Sequence, residues 1–232
     1  MTPILKVSDL EKSYPSPDGQ ALKVVSVKDF ALKPNEQMAL RGGSGSGKTT
    51  FLNLIAGILS ADSGSIRIDN DEIVGTPEYN RDDMRARHLG YVFQTFNLLQ
   101  GYTALENVEL GMMFGKGVNR KRAVALLERM GLADRMNYKP RQLSVGQQQR
   151  VAVARALANN PKLVLADEPT GNLDRAHALE ALDLIREVCR ENKSALLLVS
   201  HDPEILGRFE KQKDFSEINS AAAAHTATEV TA

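Results

Sequence analysis

The chain has 232 residues, 42% of them hydrophobic, with 29 basic and 29 acidic side chains. That is enough apolar content for one large core, and the balanced charge excludes a strong overall field for nucleic acid or anionic lipid. Cys189 is the single cysteine, which excludes an internal disulfide, and no segment approaches the roughly 20 apolar residues that span a bilayer.

The first residues, Met-Thr-Pro-Ile-Leu-Lys, contain no signal-peptide apolar region. The sequence therefore reads as cytosolic, with no nucleic-acid partner and with membrane contact only through another protein. Residues 4–10 and 22–30 read as strands joined by a loop rich in Pro, Ser and Gly, Pro15 to Gly19. The ring of Tyr14, in that early loop, is suited to stacking on an adenine or to ordinary packing.

Glu36 to Leu40 is a short buried strand that runs into Gly42, Gly43, Ser44, Gly45, Ser46, Gly47, Lys48 and Thr49, followed by Thr50. Lys48 to Gly57 then reads as a helix with Phe51, Leu52, Leu54 and Ile55 apolar. A strand, a glycine loop ending in Lys-Thr and a helix make a phosphate cradle, because glycines let backbone N–H groups turn inward at a helix N-terminus. Lys48 is placed to neutralise β- and γ-phosphate charge, and the Thr49 hydroxyl to ligate Mg²⁺.

Ser65 to Asp69 alternates as a strand, and His88 to Phe93 is another, ending at Gln94. A neutral amide at such a hinge can bind Mg²⁺ or a water and release it at little charge cost. From about 95 to 160 the pattern is helical, over 103–113, 119–130 and 146–159, and reads as an inserted lobe. Leu143-Ser144-Val145-Gly146-Gln147 opens the last of these helices. It is either a Ser-capped helix start or a second anion site, and a second anion site implies a second nucleotide.

Strand, helix and strand return at Lys162–Ala166, Arg175–Glu191 and Ala195–Ser200. Continuous apolar strands alternating with helices imply a buried, mostly parallel sheet in an α/β fold. The first of these strands delivers Asp167 and Glu168 at its carboxyl end, Asp167 for the magnesium shell and Glu168 to polarise an attacking water. His201 follows the last strand and is placed to reach a γ-phosphate. His88, His177 and His225 have no such placement, and Cys189 lies on the apolar stripe of Leu179, Leu182, Ile185 and Val188. Residues 216–232 are mostly Ala, Thr, Ser and Glu and read as a disordered tail.

In this order the residues closely resemble the ATP-binding subunits of ABC transporters, over about 4–205. The resemblance makes Tyr14 the adenine-stacking A-loop residue, 42–49 the Walker A motif, Gln94 the Q-loop and 143–147 the signature. It makes 163–168 Walker B with Glu168 as catalytic glutamate, Gly171-Asn172-Leu173-Asp174 the D-loop and His201 the switch histidine. It implies an α/β P-loop NTPase (RecA-like) core of about 1–94 and 161–215, with an N-terminal antiparallel β subdomain and an inserted α-helical subdomain of about 95–160. Residues 91–99 and 169–174 are similar to the lipoprotein-releasing, macrolide-export and cell-division group.

Two departures stand out. Val145 replaces the family's usual glycine, and the segment after His201 lacks the usual closing strand with its Asp-Gly turn, with Phe209, Phe215 and Ile218 left to form a degenerate version.

The resemblance implies ATP and Mg²⁺ as ligands and a head-to-tail homodimer. In it Ser144, Val145, Gly146, Gln147 and Asp174 of one copy reach the nucleotide of the other. It also implies an integral membrane permease as partner at the inner face of the membrane. That partner is expected in a groove between Gln94 and about Glu106, with apolar Phe96, Leu98 and Leu99 as docking or core residues. The alternatives are regulation of cell-wall enzymes through a membrane partner, or a soluble ABC ATPase.

Overall fold

The computed structural model describes residues 2–16, 19 and 21–221. Two sheets share the molecule. The first is antiparallel: β1 (Leu5–Pro15) pairs with β2 (Ala21–Leu32) on one side and β4 (Ser63–Ile68) on the other, and β5 (Asp71–Glu72) extends the edge. The second runs β6 (Leu89–Val92), β7 (Leu163–Asp167), β8 (Ala195–Ser200), β3 (Gln37–Arg41), β9 (Lys211–Asp214), and every pairing in it is parallel.

The apolar runs of β7 and β8 are buried on both faces, and the two-residue period of a strand divides them. Leu163, Leu165, Leu197 and Val199 pack toward the antiparallel sheet and α1 (Lys48–Ile55). Val164, Ala166, Leu196 and Leu198 pack toward α3 (Ala104–Leu110), α4 (Arg120–Arg129), α5 (Val145–Ala156) and α6 (Arg175–Glu191). The helical lobe therefore shares its core with one face of the sheet. Cys189 is buried in that core, which pushes its thiol up to about 12.

α2 (Glu78–His88) is a helix that the sequence pattern did not reveal. Its residues are almost all polar, and only Met84 and His88 are buried, so it carries no apolar stripe.

Two expectations about the C-terminal side are corrected. β9 is a closing strand, with Phe209 and Phe215 buried on either side of it, so the edge is present although its Asp-Gly turn is not. Residues 216–221 belong to the fold rather than to a tail: α7 (Pro203–Leu206) and β9 lead into α8 (Phe215–Ile218), and Asn219 bridges to Val27. The remainder of the expected tail, 222–232, lies outside the described residues.

Phe51 of α1 joins the layers. Its ring meets Phe30 edge-on at 5.6 Å and Phe215 at 5.3 Å, and all three are fully buried. Phe51→Ala leaves a cavity directly under the glycine loop and is expected to cost about 3–5 kcal/mol in chemical denaturation. A loss below about 1 kcal/mol would show that this junction collapses without penalty.

Candidate active site

The parallel register brings three strand ends to one level. Leu40 of β3 and Asp167 of β7 both pair with Val199 of β8, and Arg41 pairs with Ser200. The glycine loop, the carboxylate pair and the Ser200-His201 segment thus leave the sheet side by side, at the carboxyl ends where open α/β sheets bind ligands.

There they line a cleft of about 460 Å³, together with Gln94 and Val24. Residues 43–50, Gln94, Asp167, Glu168 and His201 are all on its wall. Gly42 lies behind the wall and its carbonyl accepts from Lys48. Tyr14 is half-buried and does not line the cleft; the Lys12 ammonium lies 5.5 Å from its ring centre. Val24 stands in the wall instead, on the strand that pairs with Tyr14's strand.

Lys48 is folded into the loop. Its Nζ donates to the Gly42 and Gly43 carbonyls at 2.7 and 2.6 Å and to Ser46 Oγ at 3.2 Å. Burial lowers its pKa, against the pull of Glu168, Asp167 and Asp214. Thr49 Oγ1 donates to Asp167 Oδ1 at 3.2 Å. Burial raises the pKa of Asp167 and the neighbouring Glu168 adds to this, while Thr49 and Lys48 oppose it. A buried carboxylate beside a hydroxyl, both hard oxygen donors, is the kind of site that suits Mg²⁺, which takes few protein ligands and completes its shell with phosphate and water oxygens.

Glu168 is held at both oxygens. Ser200 Oγ donates to Oε2 at 3.1 Å, and His201 Nδ1 lies 2.8 Å from Oε1. Its backbone has φ 43, the left-handed region that costs a non-glycine residue of order 1–2 kcal/mol. That turn reverses the chain after β7: Glu168 N donates to Val199 O at 3.1 Å, and Gly171 N donates to Glu168 O at 3.0 Å. Ser200 carries no motif of its own in the sequence; its place directly before His201 is the one available signal.

The segment after Glu168 reaches the Gln94 hinge. Asn172 Nδ2 donates to the Gln94 carbonyl at 2.7 Å, and a β-carbon on Gly171 would lie 3.4 Å from Gln94 Nε2.

Ser144, Val145, Gly146, Gln147 and Asp174 do not line the cleft. Ser144 caps α5 in a reciprocal box: its Oγ accepts from Gln147 N at 3.2 Å, and its own N donates to Gln147 Oε1 at 3.0 Å. Val145 is the first residue of α5 and is not among the residues of positive φ, so valine is unstrained where a glycine was expected. Its side chain is 46% exposed, beside the exposed Ser144. Asp174 caps α6, accepting from His177 N at 3.2 Å, and hydrogen bonds from His177 hold its pKa down.

This is the fold and cleft of a P-loop nucleotide-binding protein. The family model described as ABC transporter matches residues 25–171. The chain is 42% identical over 219 residues to the lipoprotein-releasing system ATP-binding protein LolD of Hydrogenovibrio crunogenus, covering 92% of this chain and 94% of that one. It is 40% identical to the macrolide export ATP-binding/permease protein MacB of Escherichia coli K12, covering 91% of this chain and 33% of that one. Among solved structures, the ATP-binding cassette MJ0796 in a dimeric post-hydrolysis state bound to ADP and Pi has 36% identity and a TM-score of 0.79, over 87% of this chain and 90% of that one. The chain belongs to the ABC transporter family and is an ATP-hydrolysing subunit of it. Its likeness lies with the lipoprotein-releasing and macrolide-export group.

Because the pKa of Asp167 is raised in the folded state, the neutral carboxyl is favoured by folding. That stability is present at low pH and lost as pH rises through the folded value. Asp167→Asn is therefore expected to raise the Tm of the nucleotide-free protein at pH 7, with the gain closing as the pH falls towards about 4. A lower Tm in the variant at pH 7 would mean that attraction to Lys48 outweighs the burial cost.

Proposed function

We propose that two copies of this chain, head to tail, bind two MgATP between them and drive a membrane permease of the lipoprotein-releasing or macrolide-export kind by closing and reopening. The observation that carries this reading is a division of labour in space. One cleft gathers 43–50, Gln94, Asp167, Glu168 and His201, while the capped start of α5 stands exposed outside it. The N–H groups at that helix start suit a phosphate, and a second copy brings one.

In this mechanism Lys48 leaves the Gly42 and Gly43 carbonyls for the β- and γ-phosphate oxygens. Backbone N–H groups of 43–47 line the remaining phosphate charge. Thr49, Asp167 and Gln94 would hold Mg²⁺, which would supply charge neutralisation at the phosphates. Glu168 accepts the proton of the attacking water, and His201, now paired to Glu168, turns to the γ-phosphate. Tyr14 stacks on the adenine beyond the Val24 wall. Ser144 Oγ and the amides of Val145 and Gly146, with Gln147 and Asp174, complete the partner's site. Closure is favoured because only the closed dimer makes both sets of contacts.

The permease contact is narrower than apolar residue types implied. Phe96 and Leu98 are buried in the helical-lobe core, while Leu99 is 49% and Tyr102 45% exposed. The loop that presents them is pinned from behind: the fully buried Asn107 accepts from Leu99 N at 2.9 Å and donates to the carbonyls of Leu99, Tyr102 and Thr103. Met113 and Phe114, in the same lobe, are also exposed. The reading places the chain at the cytoplasmic face of the membrane as a peripheral subunit; no helix among the described residues is long and apolar enough to cross.

Glu168→Gln is expected to trap an MgATP-bound dimer on size exclusion; a variant that stays monomeric in excess MgATP would overturn the shared site. Lys48→Ala is expected to lower ATP turnover at least about a hundredfold, the scale of removing a phosphate-stabilising donor. Leu99→Asp is expected to abolish co-purification of the permease while leaving the isolated subunit's ATPase rate within about twofold, since the side chain touches no part of the cleft. Retained co-purification would move the docking surface elsewhere.

A further inference from the structure

Asn219 follows α8 and is fully buried. Every hydrogen-bonding direction of its amide is used. Oδ1 accepts from Ser26 N at 2.7 Å and Ala221 N at 3.3 Å; Nδ2 donates to Val24 O at 3.0 Å and Ser46 O at 3.2 Å. One side chain thus joins the C-terminal segment, the strand that walls the cleft and the glycine loop.

The contact with Ser46 has a geometric consequence. The Ser46–Gly47 peptide is planar and trans, so its carbonyl and the Gly47 N–H point in opposite directions. With the carbonyl drawn onto Asn219, the Gly47 N–H is directed away from it, on the side where Gly47 lines the cleft. That N–H has no hydrogen-bond partner among the described residues. The opposite side is closed: a β-carbon on Gly47 would lie 2.8 Å from Val24 O and 3.5 Å from Asn219 Nδ2, and Gly47 has φ 92. The loop is therefore pressed against Val24 and Asn219 in a conformation that only glycine adopts easily.

We propose that Asn219 is a positioning residue for nucleotide phosphate: it fixes the Ser46–Gly47 peptide so that the Gly47 N–H is aimed at the phosphate before nucleotide arrives. The proposal rests on the nucleotide reading of the cleft. It places part of the binding machinery outside the family match, which ends at 171, in a segment whose composition reads as tail. A preset N–H loses less freedom on binding, and its contact is made equally in ground and transition states, so the effect falls on affinity rather than turnover.

The test compares Asn219→Ala with Ser220→Ala. Ser220 docks the same segment on Ser26 but does not touch the loop. In the nucleotide-free protein, Asn219→Ala is expected to speed amide hydrogen exchange at Ser46 and Phe51, whose N–H groups donate to the carbonyls of Gly43 and Gly47, about tenfold while exchange in β8 is unchanged, the scale of losing one net hydrogen bond. It is also expected to weaken ADP binding, and to raise the KM for ATP, about tenfold, with kcat within about twofold. Ser220→Ala is expected to change none of these. Should the alanine variant fail to fold, Asn219→Asp keeps the acceptor for Ser26 N, removes the donor to Ser46 and is expected to show the same exchange and affinity changes. Wild-type exchange at Ser46 and Phe51 with wild-type ADP affinity in a folded Asn219 variant overturns the proposal, as does a Ser220→Ala variant that reproduces both effects. A wild-type chain that binds no ADP overturns the nucleotide reading instead, and the exchange comparison in the nucleotide-free protein still decides whether Asn219 holds the loop.

Discussion

The parallel register of β3, β8 and β7 is the constraint from which the cleft follows. Leu40, Val199 and Asp167 stand at one level, so the residues that come next leave the sheet together. The register is itself fixed by burial. Alternate side chains of β7 and β8 belong to two different cores, and a slip of one residue would exchange the faces of every one of them. The same apolar packing that stabilises the sheet therefore sets which side chains meet at its edge. No separate interaction is needed to bring Lys48 near Asp167 and Glu168.

What gathers at that edge is under electrostatic tension. Lys48 and Asp167 are both buried, and burial pushes each toward its neutral form while their mutual attraction opposes it. Glu168 sits in left-handed backbone with its two oxygens taken by Ser200 and His201. Each of these groups is held by a local contact, the Gly42 and Gly43 carbonyls for Lys48, the Thr49 hydroxyl for Asp167 and the imidazole for Glu168, and on the proposed reading nucleotide binding would exchange the first two for contacts to phosphate and its cation. The resting contacts keep the groups in reach without satisfying them fully, which is the state a binding site should have before its ligand arrives.

Local chemistry was legible in the sequence and long-range contact was not. The glycine loop, the apolar strands ending in Asp167-Glu168 and Ser200-His201, and the long amphipathic α6 all announce themselves within a few residues. α2 did not, because a helix that buries only Met84 and His88 leaves no apolar period to read. Phe96 and Leu98 read from the sequence as docking residues beside the hinge, with core as the competing view, and only the packing of the helical lobe decides that they are core while Leu99 faces out. Val24 and Asn219 carry no motif; each matters through what lies opposite it, and for Asn219 the partner Ser46 is 173 residues away. The Ala-, Thr-, Ser- and Glu-rich composition after 216 reads as disorder, but the buried Asn219 with its four hydrogen bonds, together with the buried Phe215 and Ala221, holds residues up to 221 in the fold.

The remaining question of how two distant surfaces act together has an answer in three hydrogen-bonded joints. Arg155 of α5 donates to the carbonyls of Phe96 and Asn97, both at 2.6 Å, where the chain turns through two consecutive residues of positive φ. Gln149, also of α5 and fully buried, donates to the carbonyl of Pro169, next to Glu168. Asn172 donates to the carbonyl of Gln94. The helix whose N-terminus faces outward is thus tied at one point to the loop that presents Leu99 and at another to the residue after Glu168. A displacement of α5 at Ser144 would load the 96–97 turn and the Glu168 turn together, and Asn172 joins the latter segment to Gln94. In the proposed head-to-tail dimer, the presence of nucleotide under one copy's Ser144 would then be felt at that copy's own Glu168, and closure at one site would bear on the Leu99 loop through the same helix.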